Sequence, residues 1–542
     1  MQRREILISL AALGAAPAIR AADPVVETSA GRLRGEPAEG GGWRFLCVPY
    51  GASTAGAGRF MPPRPMMPWA GVREPARQAL IAPQLNPAAK PAPPGSLRAA
   101  VAGIGSESGS LETEDCLNLT IYTPAADSAR RPVLFWCHGG GYYAGSGSNP
   151  MYDGTRLAVR GDVVVVNVNH RLGVLGFSQL AQAGADFSAS GNVGMLDIAL
   201  ALKWVRENIE RFGGDPRRVT IFGQSGGGGK VAVLNAMPAA KGLFQRAAMQ
   251  SGALRRLRSM EDGGMVATLL MAQLDLKPAQ ARELQRVPLP QLMRAYFSLA
   301  GLPALPGQPL NFEPVLDGHV VPRNPFDPVA DPLNADVPLI VGCNRTENTA
   351  FMLGDEAAFK LDPAALKTRM RALIGEHAGD AAIELYSRLQ PNTSPSDLYF
   401  AMLSDRTRRQ SILVAELKAA QSAVPGAGKA YLYELLWNTP VAEGVLRSPH
   451  SLDLPLIFDI ATGPRWTPYT GGGGDAQMLA NAMSAAWVAF AHTGDPGTAR
   501  LAWPAYQLPK RDTMLFDVAS RASADPLRAT REFWDKVANG NI

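Results

Sequence analysis

The sequence predicts an α/β protein with a large, mostly parallel twisted sheet flanked by helices, and three observations predict it. Short apolar runs rich in β-branched residues recur along the chain, stretches of helical periodicity separate them, and one run ends in a glycine-rich turn that leads into a helix. Parallel neighbours need a crossover connection, so this alternation puts helices on both faces of the sheet.

The strands read as Val133 to Cys137, Val163 to Val168, Val219 to Phe222, Pro338 to Cys343 and Ala430 to Leu436. Met195 to Arg211 spaces Leu196, Ala199, Leu200, Leu202 and Val205 as one helical face, and Gly213-Gly214-Asp215-Pro216 stops that helix. A second apolar helical stretch runs from Val231 to Met237, and a last long helix is expected over Ala476 to Ala491. From about residue 255 to 429 the spacing is mainly helical and broken by proline-rich loops such as Leu302 to Pro309, which suits an insertion capping the strand ends where ligands bind in such sheets. Pro83 to Gly109 and Gly471 to Gly474 read as loops. No internal repeat interrupts this pattern, and one domain over 23–542 accommodates it.

Composition narrows the function. With 46% hydrophobic and 19% charged residues the 542-residue chain can bury a large core. The net charge of +5 is small for this size and its lysines and arginines are scattered, so neither nucleic acid nor an anionic membrane surface is expected as a partner. Residues 1–22 have the form of an export signal: Arg3-Arg4 precedes the apolar Ile6 to Ala16, and small residues follow. The paired arginines point to the twin-arginine type and so to a periplasmic or secreted protein, with an ordinary secretory signal as the alternative. No other stretch is long and apolar enough for a membrane span. Cys47, Cys116, Cys137 and Cys343 are too few and too irregular for a disulfide scaffold or a zinc site, and Cys137 and Cys343 fall in strand-like runs as buried thiols.

The chemistry centres on Gly223-Gln224-Ser225-Gly226-Gly227, the one G-x-S-x-G in the chain. It lies between the Val219 strand and the Val231 helix, the context in which a sharp turn lifts a serine hydroxyl clear of the backbone as a nucleophile. A phosphate-loop reading of Ser225 to Lys230 fails, because that motif needs glycine at Gln224 and a hydroxyl at Val231. His138-Gly139-Gly140-Gly141 follows the Val133 strand, and its free N–H groups, with that of Gly226, make a three-donor oxyanion hole. A base must follow the nucleophile in chain order, which leaves His319, His377, His450 and His492. His450, in the loop between the Ala430 strand and the last long helix, is best placed. Glu347 follows the Pro338 strand and reads equally as the acid that orients the base or as the third residue of a capping box begun by Asn344.

As a set these motifs resemble the type-B carboxylesterases, the cholinesterase-like branch of the α/β-hydrolase fold. Further matches carry the resemblance across nearly the whole chain: Val48-Pro49-Tyr50, Glu114-Asp115-Cys116-Leu117-Asn118-Leu119, Asn169-His170-Arg171-Leu172-Gly173, Gly191 to Asp197, Phe212-Gly213-Gly214-Asp215-Pro216 and Gln250-Ser251-Gly252. The resemblance implies a serine esterase acting on a small-molecule ester, with Ser225, Glu347 and His450 as triad and Ser251 supporting it. It implies no metal and no organic cofactor. An amidase or lipase preference stays open on the same machinery, and a non-catalytic binding protein of this fold is the alternative from another class. The family pattern is departed from in three places: around the nucleophile, where Gln224 stands for the usual glutamate and Gly226 for the usual alanine; near Ala82-Pro83-Gln84, where no cysteine could pair with Cys116; and at Ser448-Pro449-His450-Ser451, which lacks the usual glycine beside the histidine.

Overall fold

The five apolar runs do form strands of one sheet. The computed structural model describes residues 23–84, 96–100, 109–299, 310–540 and 542. Eleven strands make the main sheet: β1 (Glu36–Pro37), β2 (Trp43–Pro49), β3 (Asn118–Thr123), β4 (Arg131–Cys137), β5 (Val164–Val168), β6 (Gly214–Gln224), β7 (Arg246–Gln250), β8 (Leu339–Asn344), β9 (Ala430–Leu435), β10 (Asp512–Phe516) and β11 (Arg521–Ala524). Their order is β11-β10-β9-β8-β7-β6-β4-β5-β3-β2-β1. Every pairing from β10 to β5 is parallel, while β11, β3, β2 and β1 join antiparallel at the two edges.

Strand periodicity divides the core between the two faces. Val133, Phe135 and Cys137 of β4 join one apolar cluster, with the helices α1 (Val193–Asn208) and α2 (Gly226–Asn235). Leu134 and Trp136 turn to the other face, against residues of α4 (Gly473–Thr493), the last long helix apart from one near the C-terminus. Both strand faces are therefore apolar, as a parallel sheet covered by helices requires.

Three local expectations are revised. α2 starts at Gly226 rather than Val231, despite the poor helix propensity of four consecutive glycines. Packing decides: a Cβ on Gly227 would lie 2.0 Å from the Cys137 carbonyl oxygen, so only glycine lets the helix approach β4 this closely. The Gly471 to Gly474 loop is shorter than expected, because Gly473 and Gly474 already belong to α4, whose Ala476, Leu479 and Ala480 are buried against the sheet. The first helix ends at Asn208, followed by a 3-10 turn over Ile209–Phe212.

The mainly helical span of about 255–429 is divided by β8, which belongs to the main sheet. Before it stand the helices Met260–Ala272 and Leu289–Leu299. After it come Pro363–Ile374, Glu376–Leu389 and the 25-residue α3 (Pro395–Ala419). The export-signal segment 1–22, the loop Leu302 to Pro309 and most of Pro83 to Gly109 lie outside the described residues. No helix among the described residues is long and apolar enough to cross a membrane.

Candidate active site

β6 delivers Ser225 at its carboxyl end, and the turn there is strained. Ser225 has φ 57° and ψ −125°, a backbone region that side chains disfavour and that persists only where surrounding contacts impose it. Two contacts impose it here. The Ser225 amide donates to the Gln250 carbonyl at the end of β7 (2.8 Å), and Gly223 has no room for a side chain, since its Cβ would lie 2.5 Å from the Gly227 backbone.

The His138 loop folds over this turn. Gly140 and Gly141 have φ of 85° and 61°, the left-handed region that glycine adopts without strain. Neither amide donates to another group among the described residues, and the Gly226 amide is at the first position of α2, where no intrahelical acceptor exists. The approach is tight. A Cβ on Gly226 would stand 2.2 Å from the Gly141 carbonyl oxygen.

Glu347 and His450 come from the loops after β8 and β9, and backbone bonds fasten those loops together. The Thr346 amide donates to the Ser448 carbonyl (3.0 Å), the His450 amide to the Glu347 carbonyl (3.3 Å), and the Asn344 side chain to the Pro449 carbonyl (2.7 Å). The Glu347 carboxylate is 1% exposed, and its two oxygens have different partners. Oε1 accepts from the Asn344 amide at the end of β8 and from Ser251 Oγ, both at 2.6 Å. Oε2 bonds Nδ1 of His450. Glu347 itself stands at the N-cap of the short helix Asn348–Phe351, where its side chain makes no capping bond, so the capping-box reading is not met and the carboxylate is left to hold the imidazole.

Burial works against a charged His450, yet Glu347, by charge and hydrogen bond, and then Asp453 outweigh it and hold its pKa above the ordinary value. Asp453 is a second buried carboxyl behind the pair, bonded to Tyr433 Oη (2.8 Å) and Gln250 Nε2 (3.2 Å). Burial and then the charge of Glu347 push its own pKa up. Tyr469 Oη donates to the His450 carbonyl (2.5 Å), and the Phe351 ring, 64% exposed, lies 4.8 Å from the imidazole centroid.

The structure therefore joins Glu347, His450 and Ser251 directly. Ser225 is brought beside them, but no hydrogen bond links its hydroxyl to His450 among the described residues; instead Nε2 of Gln224 lies 3.0 Å from Nε2 of His450. Gln224, Asn344, Asp453, Tyr469 and Phe351 carried no signal of this in the sequence, apart from the oddity of glutamine before the serine. His319 and His492 lie elsewhere, beside Asp317 and Arg218 respectively. Cys116, Cys137 and Cys343 are buried free thiols and Cys47 is a partly buried one. No cluster among the described residues could hold a metal ion.

A cavity of about 530 Å³ opens onto Ser225. Tyr142, Gly226, Gly229, Ser251, Leu254 and Asn348 line one side, and Leu403, Arg406, Thr407 and Gln410 of α3 the other. A strained serine, an imidazole held by a carboxylate, uncommitted amides and an adjoining cavity can together perform nucleophilic attack on a carbonyl carbon.

Residues 22–534 match the sequence profile described as the carboxylesterase family. The para-nitrobenzyl esterase of Bacillus subtilis is 32% identical over 509 residues, 94% of this chain and 98% of that protein. The phenmedipham hydrolase of Pseudarthrobacter oxydans is 32% identical over 492 residues, 89% of this chain and 93% of that one. Among solved structures, a carboxylesterase of Geobacillus stearothermophilus superposes with a TM-score of 0.79 at 36% identity, covering 94% of this chain and 99% of its own.

Proposed function

Because the chain belongs to the carboxylesterase family, has the α/β-hydrolase fold and is a carboxylic ester hydrolase, we propose that it cleaves small-molecule esters through Ser225, with His450 as base and Glu347 as orienting acid. The observation that carries this reading is the Glu347 to His450 hydrogen bond, formed beside the strained Ser225 turn. A proton on Nδ1, shared with Glu347, leaves the Nε2 lone pair facing the serine side of the site.

In the proposed cycle Nε2 takes the proton as Ser225 Oγ attacks the ester carbonyl, and the amides of Gly140, Gly141 and Gly226 receive the developing oxyanion. The imidazolium, stabilised by Glu347, returns the proton to the leaving alcohol. Water then attacks the acyl-enzyme with the same assistance and releases the acid. Amide or long-chain lipid esters are second readings on the same machinery, which pocket walls decide. We also propose export: Arg3-Arg4 and the apolar Ile6 to Ala16 support a twin-arginine signal over 1–22, testable by N-terminal sequencing of the protein recovered from the periplasm.

The test is initial rates on p-nitrophenyl acetate, butyrate, octanoate and palmitate, with Ser225→Ala and His450→Ala alongside. Activity on the short esters should fall by several orders of magnitude in both variants. Wild-type silence, or activity that survives Ser225→Ala, would sink this mechanism.

A further inference from the structure

Five residues beyond Ser225, on the helix that the turn launches, stands a lysine the catalytic cycle does not use. Lys230 has 0% exposure, and its Nζ donates to the His138 carbonyl oxygen at 2.8 Å. The ammonium lies 5.8 Å from the Tyr142 ring centroid. The titratable groups facing it are Cys137 at the end of β4, His138 and Tyr142 in the glycine loop, and His170 after β5. None is an anion near neutral pH: burial pushes the Cys137 thiol up to about 12 and Tyr142 higher still. His138 and His170 are held well below the ordinary value, by burial and then by the charge of Lys230 itself.

A buried ammonium without a carboxylate is costly, and a methionine would fill the same volume without that cost. What the ammonium touches supplies a reason to keep it. The His138 carbonyl belongs to the first peptide of the oxyanion loop. One peptide further on, His138 Nδ1 lies 2.8 Å from the Gly139 carbonyl, and a neutral ring protonated at Nδ1 donates to it. Because the peptide is planar and trans, fixing the Gly139 carbonyl toward the His138 ring turns the Gly140 N–H to the opposite side. Gly139 itself packs on the nucleophile, where its Cβ would be 3.5 Å from Ser225 Cβ.

We infer that Lys230 is a positioning residue: by holding the His138 carbonyl, it aims the amides of the oxyanion loop at the negative charge developing on the ester carbonyl oxygen. The inference rests on the proposed roles of Ser225 and the Gly140, Gly141 and Gly226 amides. Burial draws the Lys230 pKa down to about 7, so its charge is lost within the range where the base His450 is active. A charge-assisted hydrogen bond then becomes an ordinary one, and kcat declines on the alkaline side.

The experiment is kcat and KM on p-nitrophenyl butyrate from about pH 6 to about pH 10 for wild type, Lys230→Met, Lys230→Gln and Ser225→Ala, with circular dichroism to establish folding. Wild type should show an alkaline limb. Folded Lys230→Met should lose about tenfold or more in kcat with KM within about twofold, and the limb should vanish. Lys230→Gln, which keeps an N–H donor without the charge, should recover part of kcat and lack the limb as well. A wild-type kcat that stays level into the alkaline range overturns the inference, as does a folded Lys230→Met with wild-type kcat or with the limb intact; should a variant not fold, the wild-type limb decides alone. Loss of all esterase activity in wild type, or survival of activity in Ser225→Ala, would instead strike the triad on which it rests.

Discussion

The side-chain amide nitrogen of Gln224 stands 3.0 Å from Nε2 of His450, the ring atom proposed to receive the serine proton. With Nδ1 turned to Glu347, Nε2 offers a lone pair, and the amide donates to it. A donor to the neutral ring stabilises that form and lowers the imidazole pKa. Gln224→Ala should therefore move the acid limb of kcat/KM to higher pH. A limb that stays in place would show that the amide does not stabilise the neutral ring in the free enzyme.

Glu347 raises the His450 pKa, so the acid limb of wild-type kcat/KM should lie above the ordinary histidine value of 6.5, activity appearing as pH rises through it. Glu347→Gln removes the charge and should shift the limb down while costing about 10³ to 10⁴ in kcat. Ser251→Ala leaves the Asn344 amide on Oε1, and a loss of roughly tenfold is expected, equivalent to about 1.4 kcal/mol. Equal losses in the two variants would contradict this ranking.

Lys230 should cost the protein stability. Its pKa falls from 10.5 to about 7 on folding, so between those values the unfolded chain binds more protons and stability rises with pH; below about 7 the penalty is complete. Lys230→Met lacks this dependence. Its Tm relative to wild type should be most favourable near pH 6 and decline toward pH 10, against the fixed loss of one hydrogen bond to the His138 carbonyl. Thermal unfolding at matched pH values decides it, and a Tm difference that grows with pH would refute the argument.

Arg406 is the charged side chain lining the Ser225 cavity among the described residues, and no ion pair involves it there. An unpaired guanidinium in a concave site attracts anionic substrates. Arg406→Glu should lower kcat/KM for a p-nitrophenyl ester of glutaric acid, whose far carboxylate is free, by more than for p-nitrophenyl butyrate. Equal effects on the two esters would remove Arg406 from substrate choice.

The main sheet was legible because apolar β-branched runs in a parallel sheet are buried on both faces, and all five expected strands lie in its parallel part, where β7 (Arg246–Gln250), short and without β-branched residues, stands unforeseen between β8 and β6. Ser225 was legible because its turn constrains the residues on either side. Glu347 and His450 were harder, since nothing within either segment reports the bonds Thr346 to Ser448 and Asn344 to Pro449 that bring the loops together across about a hundred residues of chain. Glu347 read two ways because Asn344-Arg345-Thr346-Glu347 has the spacing of a capping box, but Asn344 ends β8 and the helix begins only at Asn348, so that box does not form and Oε2 bonds His450. The early start of α2 was hidden because four glycines argue against a helix locally, and the proximity of the Gly141, Cys137 and Gly252 backbones and of Tyr142 Oη explains them. Lys230 was visible in the glycine run but, once phosphate binding was set aside, had no local partner to suggest a purpose.

The fit between Gly226 and the Gly141 carbonyl carries a historical consequence. At 2.2 Å from that oxygen, a methyl group has no space, although alanine is the usual residue of the family at this place. The two forms of the site are thus separated by more than one substitution: the loop must retreat before the methyl can arrive, or the methyl must go before the loop can advance. Grafting the common residue into this enzyme, or this loop into a relative, would pass through a crippled intermediate, and the route between them runs through paired changes.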